Sequence, residues 1–287
     1  MPEPRAGLHL LQAIMLTAVA MIAFACNSLL CRIALQQGGI DPASFASVRL
    51  VSGAIALAVI VRLRSERPAP GNADWRAAAM LFAYVVFFSF AYLSLSAGTG
   101  ALILFGAVQL TMFGAGLRAG EMFGAGAWLG LALAVAGLVY LVSPGVTAPA
   151  PFGATLMAIA GVAWGLYSLR GRGVSDPLAA TAGNFARAAP LALVLSLLFV
   201  GKANADAAGV VLAVVSGAVT SGIGYVIWYA ALRNLSAMRA ATVQLSVPPI
   251  AAVGGVIFLS ESITPRLAAA SAAILGGIAM VLLSRSR

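Results

Sequence analysis

The chain has 287 residues, of which 62% are hydrophobic and only 9% are charged, and its mean hydropathy is +1.02. A soluble globular domain carries about 25% charged residues, so this composition excludes a soluble protein and indicates an all-α integral membrane protein. Lys and Arg number 17 against 8 Asp and Glu, but they are not clustered as in a nucleic-acid interface. We therefore expect the lipid bilayer, and no nucleic acid, as a partner.

In chain order, the sequence contains ten apolar stretches of about 20 residues, the length that crosses a bilayer as a helix. They cover approximately residues 9–35, 43–63, 75–96, 99–117, 122–142, 152–170, 178–200, 208–232, 238–259 and 264–284. The first stretch contains Asn27 and Arg32 and lacks a clear cleavage site, which predicts a retained span and not a signal peptide. Turn residues or charges separate the stretches, and nothing in the sequence predicts a soluble domain.

The distribution of arginine predicts the orientation of these spans. If the N-terminus lies inside, most arginines fall in inner segments, and Arg32, Lys202 and Arg266 lie near outer helix ends. Positive charge favours the cytoplasmic side of a membrane. We expect both termini to be cytoplasmic, as an even number of spans requires.

The two halves of the sequence resemble each other at an offset of 140 residues. The matched pairs in spans 1 and 6 and beyond are Ser28 with Ser168, Arg32 with Arg172, Glu121 with Glu261, and Gly137 with Gly277. The repeat unit is five helices, and an odd number of spans inverts the second copy, as in many transporters. We predict two repeats of inverted topology, residues 1–145 and 146–287. Coincidence among Ala-, Leu- and Gly-rich helices is the alternative, which several matches in the same order disfavour.

A proline pair interrupts the apolar stretch 244–261. Pro248 and Pro249 remove backbone amide donors, and in lipid the freed carbonyls are tolerated only against protein or a water-filled cavity. The pair predicts either a helix that lines a cavity and bends during gating, or a packing kink against a neighbouring helix.

Aromatic and polar side chains at mid-depth predict a binding cavity. Tyr84 and Phe88 share one face of span 3, and Trp164 and Tyr84 lie away from the interfacial depth that aromatic residues usually prefer. Buried amides need partners, so Asn27, Gln109 and Gln244 should face protein or water. The candidate cavity residues are Phe24, Asn27, Tyr84, Phe88, Gln109, Trp164, Tyr167, Tyr225, Trp228, Gln244 and Ser246. Aromatic packing and interhelical hydrogen bonding are the alternatives.

These features carry a family resemblance. Two five-helix halves, the pattern aromatic-x-x-x-Ser-x-x-x-Arg in spans 1 and 6, and Pro248 thirteen residues before Glu261 resemble the EamA family of the drug/metabolite transporter superfamily, and within it a YddG-type bacterial exporter of aromatic and other amino acids. The resemblance implies a bacterial inner-membrane protein in which spans 1, 3, 4, 6, 8 and 9 surround a central cavity, while spans 5 and 10 lie away from it and help to hold protomers or halves together. The first half departs from the pattern at Val108, where a proline would match Pro248.

The spans lack the residue types that proton coupling, metal binding and catalysis usually require. All 8 acids lie in loops or at helix ends, whereas an intramembrane proton relay generally uses a buried Asp, Glu or His. The only histidine, His9, lies at the inner end of span 1. Cys26 and Cys31 do not face each other on one helix, so we expect neither a disulfide nor a metal site. No catalytic motif or cofactor-binding loop occurs, which predicts a protein that is not an enzyme.

The sequence therefore predicts a transporter that exports amino acids, including aromatic ones, by alternating access and without obligatory proton or sodium coupling. Sodium held by backbone carbonyls freed at Pro248 and Pro249 is the alternative that would allow a coupled mechanism. Export of other hydrophobic metabolites or drugs is the first alternative, and a non-transporting intramembrane scaffold or enzyme is the second. A channel is a further possibility, but no ring of charges or filter-like repeat supports it. The sequence leaves open whether the protein is a monomer or a homodimer.

Overall fold

The computed structural model describes residues 4–64, 74–171, 174–232 and 243–284. The helices are α1 (Pro4–Gln36), α2 (Pro42–Leu63), α3 (Trp75–Ala91), α4 (Ala97–Arg118), α5 (Ala125–Val142), α6 (Pro151–Arg170), α7 (Pro177–Leu198), α8 (Ala207–Val214), the π-helix π1 (Val215–Ile223), α9 (Gly224–Leu232), α10 (Val247–Leu259) and α11 (Pro265–Leu283). A turn of 3₁₀-helix (Val200–Lys202) precedes α8.

The prediction of an all-α membrane protein is confirmed. Among the described residues, eight helical stretches are long and apolar enough to cross a membrane, and α3 and α10 are shorter apolar helices. The eighth span consists of α8, π1 and α9 in direct succession. Span 9 was predicted to begin at residue 238, but residues 238–242 lie outside the described part of the chain, and α10 begins at Val247.

Carboxylates fix where several helices begin. Asp41, Asp74 and Asp176 accept hydrogen bonds from backbone amides in the first turns of α2, α3 and α7. Asp206 accepts one from the amide of Gly209 at the start of α8. A side-chain oxygen at this position satisfies an amide that lacks a helical partner, and its charge suits the positive end of the helix dipole. These four acids therefore have structural roles at helix ends.

Helices from the first half of the chain pack against helices from the second half. α2 lies against α7, α3 and α4 contact α6, and α1 contacts π1, α9 and α10. α5 and α11 form a separate and extensive pair, which reaches the rest of the protein mainly through α4. This arrangement leaves α1, α3, α6 and α9 around the centre of the molecule, where the candidate site lies.

Two helical irregularities occur among the described residues of the second half. In π1 the backbone bonds run from residue i to i+5, and such segments are rare and are often found at functional sites. A turn at residues 245–246 interrupts the ninth span, and Pro248 lies in the first turn of α10. Proline is well accommodated there because the first amides of a helix have no intrahelical partner. The proline pair thus starts a helix, whereas the sequence pattern predicted a bend within one.

Candidate functional site

A cluster of aromatic rings fills the centre of the helix bundle. The Trp164 ring on α6 lies 4.8 Å from the Tyr84 ring on α3 and 5.4 Å from the Tyr225 ring on α9, measured between centroids. Phe24 on α1 completes the cluster at 5.9 Å from Tyr225, and Phe88 lies 5.4 Å from Tyr84. Phe24, Tyr84 and Phe88 come from the first half of the chain, and the other two come from the second. The cluster therefore bridges the two halves.

These five rings line a small central cavity. Its other lining residues are Asn27, Ser28, Leu104 and Phe105, and its volume is about 20 Å³. A water molecule needs roughly 10–15 Å³ of such space, so the cavity has room for one water molecule and is far too small for an amino acid. A larger ligand requires the rings to move apart, and this structure is closed around its centre.

Asn27 is the centre of a polar cluster beside the cavity. Its Oδ1 accepts hydrogen bonds from Ser216 Oγ at 2.8 Å and Thr220 Oγ1 at 2.6 Å, and Ser221 Oγ lies at 3.4 Å. Residues five apart face different sides of an α-helix but share a side of a π-helix. The π-helix π1 therefore explains how Ser216 and Ser221 both reach one amide. Sequence reasoning identified Asn27 but did not include the three hydroxyls among the site residues.

Arg49 on α2 is the main site residue that the sequence analysis missed. Its side chain is fully buried, with 0% exposure. Nε donates to Ser221 Oγ and Nη2 donates to Tyr84 Oη, both at 3.2 Å. The guanidinium carbon also lies 5.0 Å from the centroid of the Phe88 ring and 5.3 Å from that of Tyr84. An arginine well inside an apolar span is itself a signal of function, and that signal was present in the sequence.

A second small cavity lies between the central cluster and one end of the bundle. It also has a volume of about 20 Å³, and Tyr167, Asn184, Asp74 and Arg170 are among its lining residues. Tyr167 lies 5.5 Å from Trp164, measured between ring centroids. Two neighbouring rings of α6 therefore line the two cavities, Trp164 the central one and Tyr167 the second.

The face of the molecule at which α1 ends lies across the helix bundle from the face at which α1 begins, and we call it the opposite face. An ion pair closes this face. Arg32 Nε lies 3.2 Å from Glu261 Oε1, and Arg32 Nη1 donates to the Tyr92 carbonyl at 2.8 Å. Glu261 Oε2 accepts from the Ala97 amide at 2.9 Å, at the start of α4. Ser260, which adopts the left-handed conformation with φ of 53°, ends α10 just before Glu261. The pair thus ties α1 and the α3–α4 connection to the end of α10.

Two further ion pairs close the face at which α1 begins, which we call the N-terminal face. Arg64 Nη1 lies 2.7 Å from Asp176 Oδ2 and joins α2 to α7. Arg170 Nη2 lies 3.2 Å from Asp74 Oδ2 and joins α6 to α3. The pKa of the Asp74 carboxyl is lowered, chiefly because the Ala77 amide donates to it and also because Arg170 lies beside it. Asp74 is therefore negatively charged at neutral pH and forms the ion pair with Arg170.

The structure brings together most of the residues predicted to line a cavity. Phe24, Asn27, Tyr84, Phe88, Trp164 and Tyr225 line the central cavity, Tyr167 lines the adjacent one, and the Trp228 ring lies 5.9 Å from that of Phe24. The prediction is not met for Gln109, which lines a separate crevice of about 340 Å³ between α4, α5 and α11. Which helices pack against the Gln109 side of α4 depends on tertiary structure, and spacing along the sequence does not reveal it.

Gln244 and Ser246, the predicted cavity residues of the ninth span, lie just before α10 and not in the lining of the central cavity. Gln244 is half-buried, and Ser246 Oγ donates to the Val243 carbonyl at 2.7 Å. Pro248 is buried and Pro249 is exposed. Gating by the proline pair stays a prediction. Within the described ranges, no group of three or more His, Cys, Asp or Glu side chains could hold a metal ion.

Known proteins resemble this chain both in sequence and in fold. The model of the EamA-like transporter family matches this chain twice, over residues 11–143 and 151–283. An uncharacterised protein of Pseudomonas aeruginosa is 52% identical over 274 residues, which are 96% of this chain and 96% of that relative. A solved crystal structure is similar with a TM-score of 0.67 over 94% of this chain and 96% of its own, at 19% sequence identity. That structural likeness shows the fold alone.

Proposed function

Because this chain belongs to the EamA-like transporter family, we propose that it exports amino acids, including aromatic ones, across the bacterial inner membrane. One observation carries the proposal: a central cavity between the two halves, walled by aromatic rings and edged by the Asn27 cluster. Aromatic walls with a few fixed polar groups suit a ligand that has an apolar body and a polar end.

The proposed mechanism is alternating access. The central cavity is separated from the N-terminal face by Trp164 and Tyr167, and the Arg32–Glu261 pair closes the opposite face. Since ion pairs join the helices at both faces, opening one face requires breaking its pairs while the other face stays closed. The closed arrangement described here corresponds to a state between the two open ones.

The orientation follows from the arginines. Arg64 and Arg170 lie at the N-terminal face, which we propose is cytoplasmic because positive residues favour that side. Export then means that an amino acid reaches the central cavity past Tyr167 and leaves past the Arg32–Glu261 pair. Accessibility of a tag at each terminus to an impermeant reagent in intact cells tests this orientation. Labelling of either terminus from outside would contradict it.

Counterflow of labelled phenylalanine into proteoliposomes loaded with unlabelled phenylalanine tests the function. We expect flux from the wild-type protein and a loss of at least several-fold in Trp164→Ala, because the truncated side chain removes the ring that contacts both Tyr84 and Tyr225. Trp128→Ala is the matched control, since Trp128 is half exposed on α5, away from the cavity. Absence of amino-acid flux in the wild type, with flux of an apolar drug-like dye, would replace this proposal by the export of hydrophobic compounds.

A further inference from the structure

We infer that Arg49 binds the carboxylate of the transported substrate, an assignment that rests on the proposed function and names the chemical group that the site recognises. The guanidinium lies against Tyr84 and Phe88, two of the rings that wall the central cavity. A ligand that separates these rings therefore comes within reach of the guanidinium.

Among the described residues, no acidic side chain pairs with the charge of Arg49. The side chain is completely buried, and its described partners are a serine hydroxyl, a tyrosine hydroxyl and two aromatic rings, all of them neutral. None of the three ion pairs among the described residues includes it. A buried charge is costly unless it is paired, and within a membrane such residues mark binding sites or ion pathways. An anionic ligand would supply the missing charge.

The hydrogen-bonding capacity of Arg49 is also incomplete. Nε and Nη2 donate to Ser221 and Tyr84, whereas Nη1 is buried and has no hydrogen-bond partner within the described residues. Arginine presents its donors as a planar fork that matches the two oxygens of a carboxylate. The two held nitrogens fix the plane of the fork, and Nη1 offers the free donors. The group is thus oriented before a ligand arrives.

The chain contains a second arginine within an apolar span, which serves as a comparison. Arg187 occupies nearly the corresponding position of the second repeat, on α7. It is only half-buried, and its Nη1 donates at 3.1 Å to the Gly183 carbonyl of its own helix. The repeat therefore supplies two arginines, and only Arg49 lies beside the rings of the central cavity. Arg187 is for that reason the matched control.

Binding measurements on the purified full-length protein test the inference. The compounds are phenylalanine, its methyl ester and 3-phenylpropionate, which has the carboxylate but lacks the amine. We expect the wild-type protein and Arg187→Gln to bind phenylalanine about 10- to 100-fold more tightly than the ester, the range that a charged hydrogen bond confers. In Arg49→Gln the affinity for phenylalanine should fall to that for the ester.

The same measurements separate this inference from the proposed function. Binding of 3-phenylpropionate that depends on Arg49, without binding of phenylalanine, would uphold the carboxylate site and refute amino-acid export. Equal affinity of the wild-type protein for the acid and the ester would overturn the inference without any variant, so a failure of Arg49→Gln to fold does not protect it. A carboxylate preference unchanged in Arg49→Gln, together with a lowered Tm of the ligand-free variant, would instead make Arg49 a structural residue.

Discussion

The contact between α5 and α11 predicts opposite effects of alanine at two adjacent glycines. A Cβ atom added to Gly277 would overlap the Gly130 carbonyl oxygen and lie 2.6 Å from the Ala134 amide nitrogen. Both are backbone atoms and cannot rotate away. A Cβ atom added to Gly276, one position earlier on the same helix, would meet nothing within 4 Å.

The magnitudes follow from this geometry. Replacing glycine by alanine inside a helix stabilises it by about 0.5–1 kcal/mol because the unfolded chain loses conformational freedom. Overpacking a close contact costs about 1–3 kcal/mol. Gly276→Ala should therefore be neutral or slightly stabilising, and Gly277→Ala should be destabilising by up to about 2.5 kcal/mol after its helix gain is subtracted. The helix term is common to both variants, so their difference reports the contact alone.

Thermal unfolding of the two purified variants, followed by tryptophan fluorescence, measures this difference. Gly277→Ala should unfold at a lower temperature than Gly276→Ala, while both keep the substrate preference of the wild-type protein because α5 and α11 lie away from the central cavity. Equal unfolding temperatures would refute the close backbone contact. A changed substrate preference in Gly277→Ala would show that this helix pair contributes to the binding site.

Three further predictions concern the transport cycle. Replacing Pro248 and Pro249 together by alanine should slow turnover more than it lowers stability, because the pair starts α10 at a break in the span; normal turnover in flux assays would favour a packing role. Flux should run downhill in liposomes without any proton or sodium gradient, because the acids described in the structure lie at helix ends or in connections; uphill accumulation driven by either gradient would contradict this. Glu261→Gln should accelerate hydrogen exchange of the Ala97 amide, because the side chain that accepts from this amide loses both its charge and its ion pair with Arg32; unchanged exchange would mean that other contacts hold the opposite face closed.

The sequence determined the architecture because the physics involved is local. A run of about 20 apolar residues satisfies its backbone bonds only as a helix in lipid. Turn residues and charges, including the aspartates before α2, α3 and α7, separated the apolar stretches in the sequence. Aromatic residues spaced four apart, such as Tyr84 and Phe88, had to share one helical face.

Only the tertiary structure decided which of the polar side chains meet. Gln109 and Asn27 looked equivalent in sequence, as amides at mid-depth, yet Gln109 faces a separate crevice and Asn27 binds three hydroxyls. The π-helical segment that gathers those hydroxyls packs against α1 and α2, and the sequence pattern of span 8 does not differ from that of an α-helix.

For Arg49, too, the sequence showed one property and only the tertiary structure decided another. Its position inside an apolar span was visible in the sequence, and so was its counterpart Arg187. Their burial depends on which helices surround them: α3 and π1 enclose Arg49 with Tyr84 and Ser221, whereas Arg187 donates to a carbonyl of its own helix. Helix–helix packing joins residues distant in the chain, so the sequence determined the spans and their repeat, and the packing decided which arginine lies at the centre.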